Sequence, residues 1–378
     1  MAPDGRRVGV GGAAVVLGTR AELVKLAPVV RELSGRIRLL HTGQHYDTQL
    51  NGAFLREHGL PDPERVFQVG GLSRTAQIAA AALELDTLFA EDPPNVVIVQ
   101  GDTNATLSGA LAANGRGIPL VHVGAGVRSF DRRMPEEHNR VLTDHLADVL
   151  CAATGANAAN LLAEGVVPDL IHVTGNTVVE AVRAALPDLE QREKHLRRYG
   201  LSADHYILAT LHHPENTDSP HVLAAILREL GALATRDRPV LLPLLPSTRA
   251  VADAHGLTPL LSRLTVIAPT GHSEFVSLLS QAALVVSDSG GVQEEVTVLK
   301  RPLIVVRRST AHPESMPDFA RLVPPGPAIG TVAREWLADL PALHTRLAGL
   351  PSPYGDGEAG RRIARLVDAV AASQEERV

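Results

Sequence analysis

One stretch, residues 283–306, constrains the fold of this chain more than any other. An apolar run, Ala283 to Val286, breaks at Ser287-Asp288-Ser289-Gly290-Gly291. A helix-compatible segment carrying Glu294 and Glu295 follows, then Lys300-Arg301-Pro302 and a second apolar run, Leu303 to Val306. Strand, Gly-rich turn, helix and strand make one βαβ unit. The first N–H groups of a helix lack partners within it, its dipole places partial positive charge there, and glycines let a ligand come close. A diphosphate suits such a turn, and a carboxylate a few residues on, such as Glu295, can hold ribose hydroxyls. A turn that merely reverses the chain is the plainer reading of the same glycines.

A chain of 378 residues suits two domains rather than one core. Hydrophobic residues make up 45% but aromatics only 3%, so Ala, Val and Leu must do most of the packing. The net charge of −6 argues against a nucleic-acid partner, which would favour a basic surface. The single cysteine, Cys151, excludes an intramolecular disulfide and a Cys-rich zinc site. It follows Leu150 in an apolar stretch and reads as a small core residue. No run approaches the roughly 20 apolar residues of a membrane span, and no apolar core precedes a cleavage site, so the expectation is a cytoplasmic protein.

Short β-type runs alternate with Ala- and Leu-rich helical segments. Val8–Leu17, Ile37–Leu40, Val96–Val99 and Leu120–Val123 read as strands of one half. Ile207–Thr210, Val240–Leu242, Leu264–Ile267, Leu284–Val286 and Leu303–Val306 read as strands of the other. Helices are expected near 22–35, 72–91, 105–114, 136–147, 220–236, 273–281 and 292–299. This alternation predicts an α/β protein with parallel sheets covered on both faces. The polar stretch 183–204 divides residues 1–182 from a second domain, 183–356, and a last helix, 357–371, is expected to pack back on the first. Two doubly wound domains facing one another would gather their strand ends around a central cleft, where ligands of open α/β sheets bind.

The residues after each strand are therefore the candidates. Gly18-Thr19-Arg20 and Lys25 would bring positive charge, Arg gripping phosphate oxygens at two points and Lys acting as a point charge. Asp102, after Val96–Val99, suits acid/base work or the capping of the next helix. Arg128 lies after Leu120–Val123, followed by Glu136 and Glu137 behind Pro135, where the helix dipole alone would favour both acids. His212, His213, Glu215 and Asn216 follow Ile207–Thr210, and a histidine there can move a proton near neutral pH. Paired histidines also suggest a metal, but no third ligand has convincing spacing, and none is expected.

Taken in order, GTRAELVKLAPV, TGQHYD, GDTNATL, PEEHNRVLTDHLAD, VTGNTVVEAV, HHPEN and SDSGGVQEE resemble the non-hydrolysing UDP-N-acetylglucosamine 2-epimerase family, from about Gly18 to Glu314. The resemblance implies the GT-B fold, two Rossmann-like domains facing a central cleft, and a homodimer. It implies an isomerase whose substrate is a UDP-sugar, with neither cofactor nor metal and no nucleic-acid or membrane partner. Arg20 and Lys25 would lie near the diphosphate, which Ser289, Gly290 and Gly291 bind, with Glu295 on the ribose. Asp102, Glu136 and His212 match the catalytic set, and Arg128, His213, Glu215 and Asn216 are further substrate-binding candidates. The implied reaction removes the C2 proton, expels UDP to leave a 2-acetamidoglucal, and adds UDP back with the C2 proton on the other face.

The chain also departs from the pattern. Gly124 stands where V-E-A-G-L-R has its glutamate, His213 where H-R-x-E-N has arginine, and Leu245 where V-H-P has histidine. T-E-R-P-E becomes Thr310-Ala311-His312-Pro313-Glu314. These departures leave three readings: the epimerase, a repurposed member acting on a nucleotide or nucleotide-like sugar (different epimerisation, elimination or glycosyl transfer), and a non-catalytic binding protein. They also bring substrate-activated regulation into question.

Overall fold

The computed structural model describes residues 12–33, 37–44 and 48–375. The beginning of the first expected strand, Val8 to Gly11, and His45-Tyr46-Asp47 of the TGQHYD piece lie outside them, as does the very end of the charged tail.

The chain forms two compact units. One reaches Ala181 and takes up the chain again from Gly355, and the other is Val182–Tyr354. Among the described residues the first holds seven strands, β1 (Ala13–Leu17), β2 (Ile37–His41), β3 (Arg65–Val66), β4 (Val96–Gln100), β5 (Leu120–Ala125), β6 (Val149–Ala152) and β7 (Ile171–Val173). They lie in the order β3-β2-β1-β4-β5-β6-β7, and every pairing is parallel. The second holds β8 (Ile207–Thr210), β9 (Val240–Pro243), β10 (Thr265–Ile267), β11 (Leu284–Ser287), β12 (Leu303–Val306) and β13 (Ala320–Val323). Their order, β10-β9-β8-β11-β12-β13, repeats the first, again all parallel. In both sheets the chain starts in the middle, winds outward one way, then returns to wind the other. This is the doubly wound order of dinucleotide-binding folds.

Burial explains why the strands read as continuous apolar runs. All five residues of β1 and of β4 are buried, because helices cover both faces of the sheet. Separate apolar clusters line the two faces in each unit. Val15, Leu17 and Ile98 face one side of the first sheet, and Ala14, Val16, Val97 and Val99 the other. The last helix, Ala359–Glu375, contributes Ile363, Ala364 and Val367 to the first of these clusters. At Gly360 it packs tightly on the helix Arg20–Glu32, where a Cβ would come within 2.9 Å of Pro28. Cys151 sits in β6 with its side chain buried, and burial pushes its thiol up to about 12.

The winding order creates one point in each sheet where neighbouring strands feed helices on opposite faces. In the first sheet it lies between β1 and β4, and in the second between β8 and β11. Crevices open outside the carboxyl ends of strands at such points. Gly18-Thr19-Arg20 and Gly101-Asp102-Thr103 stand there in the first unit, His212-His213 and Asp288-Ser289-Gly290 in the second.

Candidate active site

In the first unit a buried carboxylate ties the two strand ends together. Glu22, third in its helix and 1% exposed, reaches back to the Gly18 and Thr19 amides (2.9 and 2.7 Å). Its other oxygen accepts from the Thr103 and Thr106 hydroxyls (2.7 and 3.1 Å). Burial raises its pKa above the usual carboxylate range, and bonds from Thr103 and Gly18 pull it part of the way back. Glu22 is not among the candidates that the sequence pattern marks. A carboxylate three residues behind a threonine at a helix start is the available signal, since that spacing lets it fold back onto the cap.

Thr103 also decides what Asp102 does. Its hydroxyl accepts from the Thr106 amide at 3.1 Å and caps the helix Asn104–Gly115. Capping therefore does not occupy Asp102, whose carboxylate instead meets Nε (3.1 Å) and Nη2 of Arg140. Arg140 comes from the helix Pro135–Leu146 and also pairs with Glu137 (2.7 Å). Glu137 accepts from the Ser129 and Phe130 amides, both at 2.9 Å, and so holds the loop before its own helix. Desolvation opposes its ionisation, but bonds from Ser129 and the charge of Arg140 keep its pKa below the usual range. The two neighbouring acids therefore differ: Glu137 is structural, whereas half-exposed Glu136 has no ion pair or hydrogen bond among the described residues.

The loop after β5 is held by a buried charge network. Arg128 is 3% exposed and pairs with Glu164 through Nε and Nη2 (2.8 and 2.7 Å) and with Asp144 (2.7 Å). Direct contact with a substrate would require these bonds to be exchanged. Asp144 also accepts from the Gly126 amide (3.1 Å) and faces Nδ1 of His122 (2.7 Å), whose Nε2 meets the Gly101 carbonyl (2.8 Å). The network thus links the turn before Asp102 to the loop after β5. Arg20 stacks over the Phe54 ring, 5.9 Å from its centroid, and Lys25 lies one turn further along the same helix, half-buried.

Desolvation opposes ionisation of Asp144, but the charges of His122 and Arg128 outweigh it and depress its pKa. The sign follows directly. An ionised carboxylate with a depressed folded-state pKa contributes stability that is present above its unfolded value, about 3.9, and is lost as pH falls through its folded value. Glu22, with a raised pKa, works in the opposite direction: its contribution is fully present below its unfolded value and lost as pH rises through the folded one. We expect Asp144→Asn to lower the urea midpoint at neutral pH and to flatten the loss of stability below about pH 4. Parallel acid limbs for the two proteins would contradict this.

In the second unit Asp288 plays the part of Glu22. It is fully buried and accepts from the amides of His212 (3.1 Å) and His213 (3.0 Å) and from Nδ2 of Asn216 (3.1 Å). It also lies 3.3 Å from Nδ1 of His212, fixing the ring of a side chain that stays accessible. Asn216 is fully buried and also donates to the Val306 carbonyl (2.8 Å), so it joins the ends of β8, β11 and β12. Glu215 pairs with Nε of Arg307 (3.2 Å) and lies 3.8 Å from Nδ1 of His213.

Ser289 precedes the helix Gly290–Leu299, and its hydroxyl does not cap it. A Cβ on Gly291 would meet nothing nearer than 3.9 Å, so the approach to the first turn is open there. Glu295 sits in the second turn with its carboxylate 3.1 Å from Nε2 of His272, the first residue of the helix His272–Ser280. His272 and Arg307 were not singled out in the sequence. No residue pattern announces them, because each meets its partner only through the packing of separate strand ends. Among the described residues there is no cluster of His, Cys, Asp or Glu that could hold a metal, and no helix is long and apolar enough to cross a membrane.

The family model described as UDP-N-acetylglucosamine 2-epimerase matches residues 30–368. The chain belongs to the UDP-N-acetylglucosamine 2-epimerase family. The UDP-N-acetylglucosamine 2-epimerase of Methanococcus maripaludis is 35% identical over 360 residues, covering 93% of this chain and 97% of that one. The UDP-2,3-diacetamido-2,3-dideoxy-D-glucuronate 2-epimerase of Pseudomonas aeruginosa is 33% identical, covering 93% and 98%. Among solved structures, the Methanocaldococcus jannaschii UDP-GlcNAc 2-epimerase in complex with UDP-GlcNAc and UDP superposes with a TM-score of 0.83 at 35% identity, covering 95% of this chain and 99% of that one. Membership supports isomerase-type chemistry in general. The Rossmann-like order of both sheets accords with the GT-B expectation.

Proposed function

We propose that this family member epimerises a UDP-sugar at C2, with UDP-N-acetylglucosamine as substrate, by eliminating and re-adding UDP through a 2-acetamidoglucal. One observation carries the reading: at the end of β4 the capping of the following helix falls to Thr103, leaving Asp102 with Arg140 for proton chemistry. In the forward half-reaction a base takes the C2 proton while the C1–O bond breaks and the electron pair leaves with UDP. In the return, UDP oxygen attacks C1 and an acid delivers a proton to the opposite face of C2. Asp102 and Glu136, the latter without an ion pair or hydrogen bond among the described residues, are the proton carriers in this reading. His212, held by Asp288, assists departure of the diphosphate, which the Ser289-Gly290-Gly291 turn binds through its amides. Arg20 and Lys25 add positive charge, and Glu295 holds the ribose. The family resemblance also supports a homodimer.

A second reading is favoured by Gly124. This residue forms an irregularity in the β5–β6 pairing and has φ +81°. A glutamate at this position would put a side chain on left-handed backbone, at a cost of roughly 1–3 kcal/mol. The departure is therefore built into the backbone as well as the side chain. It leaves room next to the Gln100 amide, which is 3.4 Å from where a Cβ would stand. A repurposed member would use that room for a different sugar, such as the diacetamido uronate in the name of the Pseudomonas aeruginosa relative.

Incubation with each UDP-sugar in deuterated buffer, followed by NMR, tests both readings. The expected result is deuterium at C2 and interconversion of UDP-N-acetylglucosamine with its manno epimer. No exchange from demonstrably folded protein would sink the first reading, and exchange with the uronate alone would favour the second.

A further inference from the structure

His312 lies where the family pattern has arginine, and the structure locks it onto the start of the helix that the nucleotide reading invokes. Its amide donates to the Thr310 hydroxyl (3.0 Å), which donates to Oε1 of Gln293 (2.6 Å), and Gln293 in turn donates to the Ser289 carbonyl (3.3 Å). The Ser315 hydroxyl donates to the His312 carbonyl at 3.1 Å. The segment is thereby fastened to both the first turn and the lead-in of the helix Gly290–Leu299.

The ring itself is held on two sides. Nδ1 lies 3.4 Å from Oε1 of Glu294, which is almost wholly buried. Nε2 lies 2.9 Å from the place a Cβ on Gly290 would occupy, and Cδ2 3.3 Å. Glycine at 290 is thus required for the imidazole edge to seat there. In a helix the Cα–Cβ direction tilts toward the N-terminus, so Nε2 stands on the side where the unpaired amides open. The side chain keeps 17% exposure, so a ligand at that turn can reach it.

We propose that His312 is a proton-dependent ligand for the diphosphate. As an imidazolium it donates Nε2–H to a phosphate oxygen held at Ser289–Gly291, while Glu294 accepts at Nδ1. An arginine would carry its charge at every physiological pH, whereas imidazole gains or loses charge between about pH 5 and 8. On its other side the ring meets the Glu294 carboxylate, and the charges of Glu294 and Glu314 both act on Tyr354. Tyr354 lies against the same acids, and burial, reinforced by their charges, holds its hydroxyl far above the usual range, so it stays neutral throughout. His212 with Asp288 and His272 with Glu295 border the same helix, so the test must separate His312 from them.

The proposal rests on the nucleotide reading but not on turnover. Calorimetric titration of the full chain with UDP-N-acetylglucosamine suits it, because the doubly esterified diphosphate keeps its own charge across the range. Wild-type affinity is expected to fall about tenfold between pH 6 and pH 8, the scale of one charge-assisted hydrogen bond. His312→Arg should hold the tighter affinity at both values, and His312→Gln the weaker one at both. Uridine, which lacks the diphosphate, should bind all three proteins alike. A His312→Gln protein that keeps the wild-type pH slope overturns this inference alone. A wild type that binds no UDP-sugar at either pH overturns the nucleotide reading and this inference with it.

Discussion

Asp102→Asn is expected to lower C2-hydrogen exchange in UDP-N-acetylglucosamine by about 10²–10⁴-fold, the usual worth of a general acid or base. The amide keeps the size of the carboxylate and one oxygen for Arg140, but it cannot exchange a proton under these conditions. The fold should tolerate the change. Arg140 retains Glu137, Thr103 still caps the helix, and Glu22 still joins the two strand ends. The thermal midpoint is therefore expected to move by only a few degrees, the shift of about 1 kcal/mol or less in a chain of this size. Nucleotide affinity, titrated with UDP alone, should stay close to wild type. Exchange within tenfold of wild type would remove Asp102 from the reaction. A collapse of the midpoint together with activity would mean that the carboxylate serves the fold instead.

Asp288→Asn should act in the opposite manner, losing stability first. Both oxygens of Asp288 face donors: the amides of His212 and His213 and Nδ2 of Asn216. Either orientation of an asparagine amide would turn its NH2 toward one of these N–H groups. The substitution preserves shape but leaves a buried donor facing a donor, at a cost of roughly 2–4 kcal/mol. Urea denaturation would show this as a lower midpoint with an unchanged slope. Affinity for UDP should fall as well, because the same carboxylate sets the turn that carries His212 and the lead-in to Ser289. An unchanged midpoint would show that the turns are held by other means. Comparison with Asp102→Asn then separates a group placed for chemistry from one that places others.

These two acids also show what a sequence can and cannot disclose. Asp102 was legible because it follows an apolar run in a Gly-containing turn, and the alternative, capping, was legible too. That Thr103 takes the cap while Asp102 meets Arg140 was not, since it depended on a helix whose arginine is 38 residues away. Asp288 was visible within the Ser-Asp-Ser-Gly-Gly turn but passed for part of its punctuation. Only the approach of the β8 turn, with its amides aimed inward, reveals its task. The paired acids after Pro135 looked alike for the same reason, and tertiary contacts alone distinguish Glu137 from Glu136.

The secondary structure divides along similar lines. Central strands such as Val96–Gln100 and Leu303–Val306 were readable as unbroken apolar runs, because both faces are covered. Edge strands Arg65–Val66, Ile171–Val173 and Ala320–Val323 were not, because fewer neighbours and more solvent leave them short and partly polar. Val149–Ala152 was noticed as an apolar stretch around Cys151 but not as a strand, being four residues caught between two helices. The helix Leu189–Arg198 was read only as a polar stretch between domains, because a solvated helix with three basic residues in its last turn offers little apolar face to detect.

By itself the sequence determined the α/β class and the family, since these rest on short-range patterns: apolar runs, glycines at turns, and motifs in a fixed order. The tertiary structure decided which charged side chains are tied into the fold by partners of their own. It showed Arg128 engaged with Glu164 and Asp144, placed His312 against Gly290, and set Gly124 on left-handed backbone. The physical reason is that a buried charge is settled by its partners, and those partners come from strand ends distant in sequence that meet only when the sheets assemble.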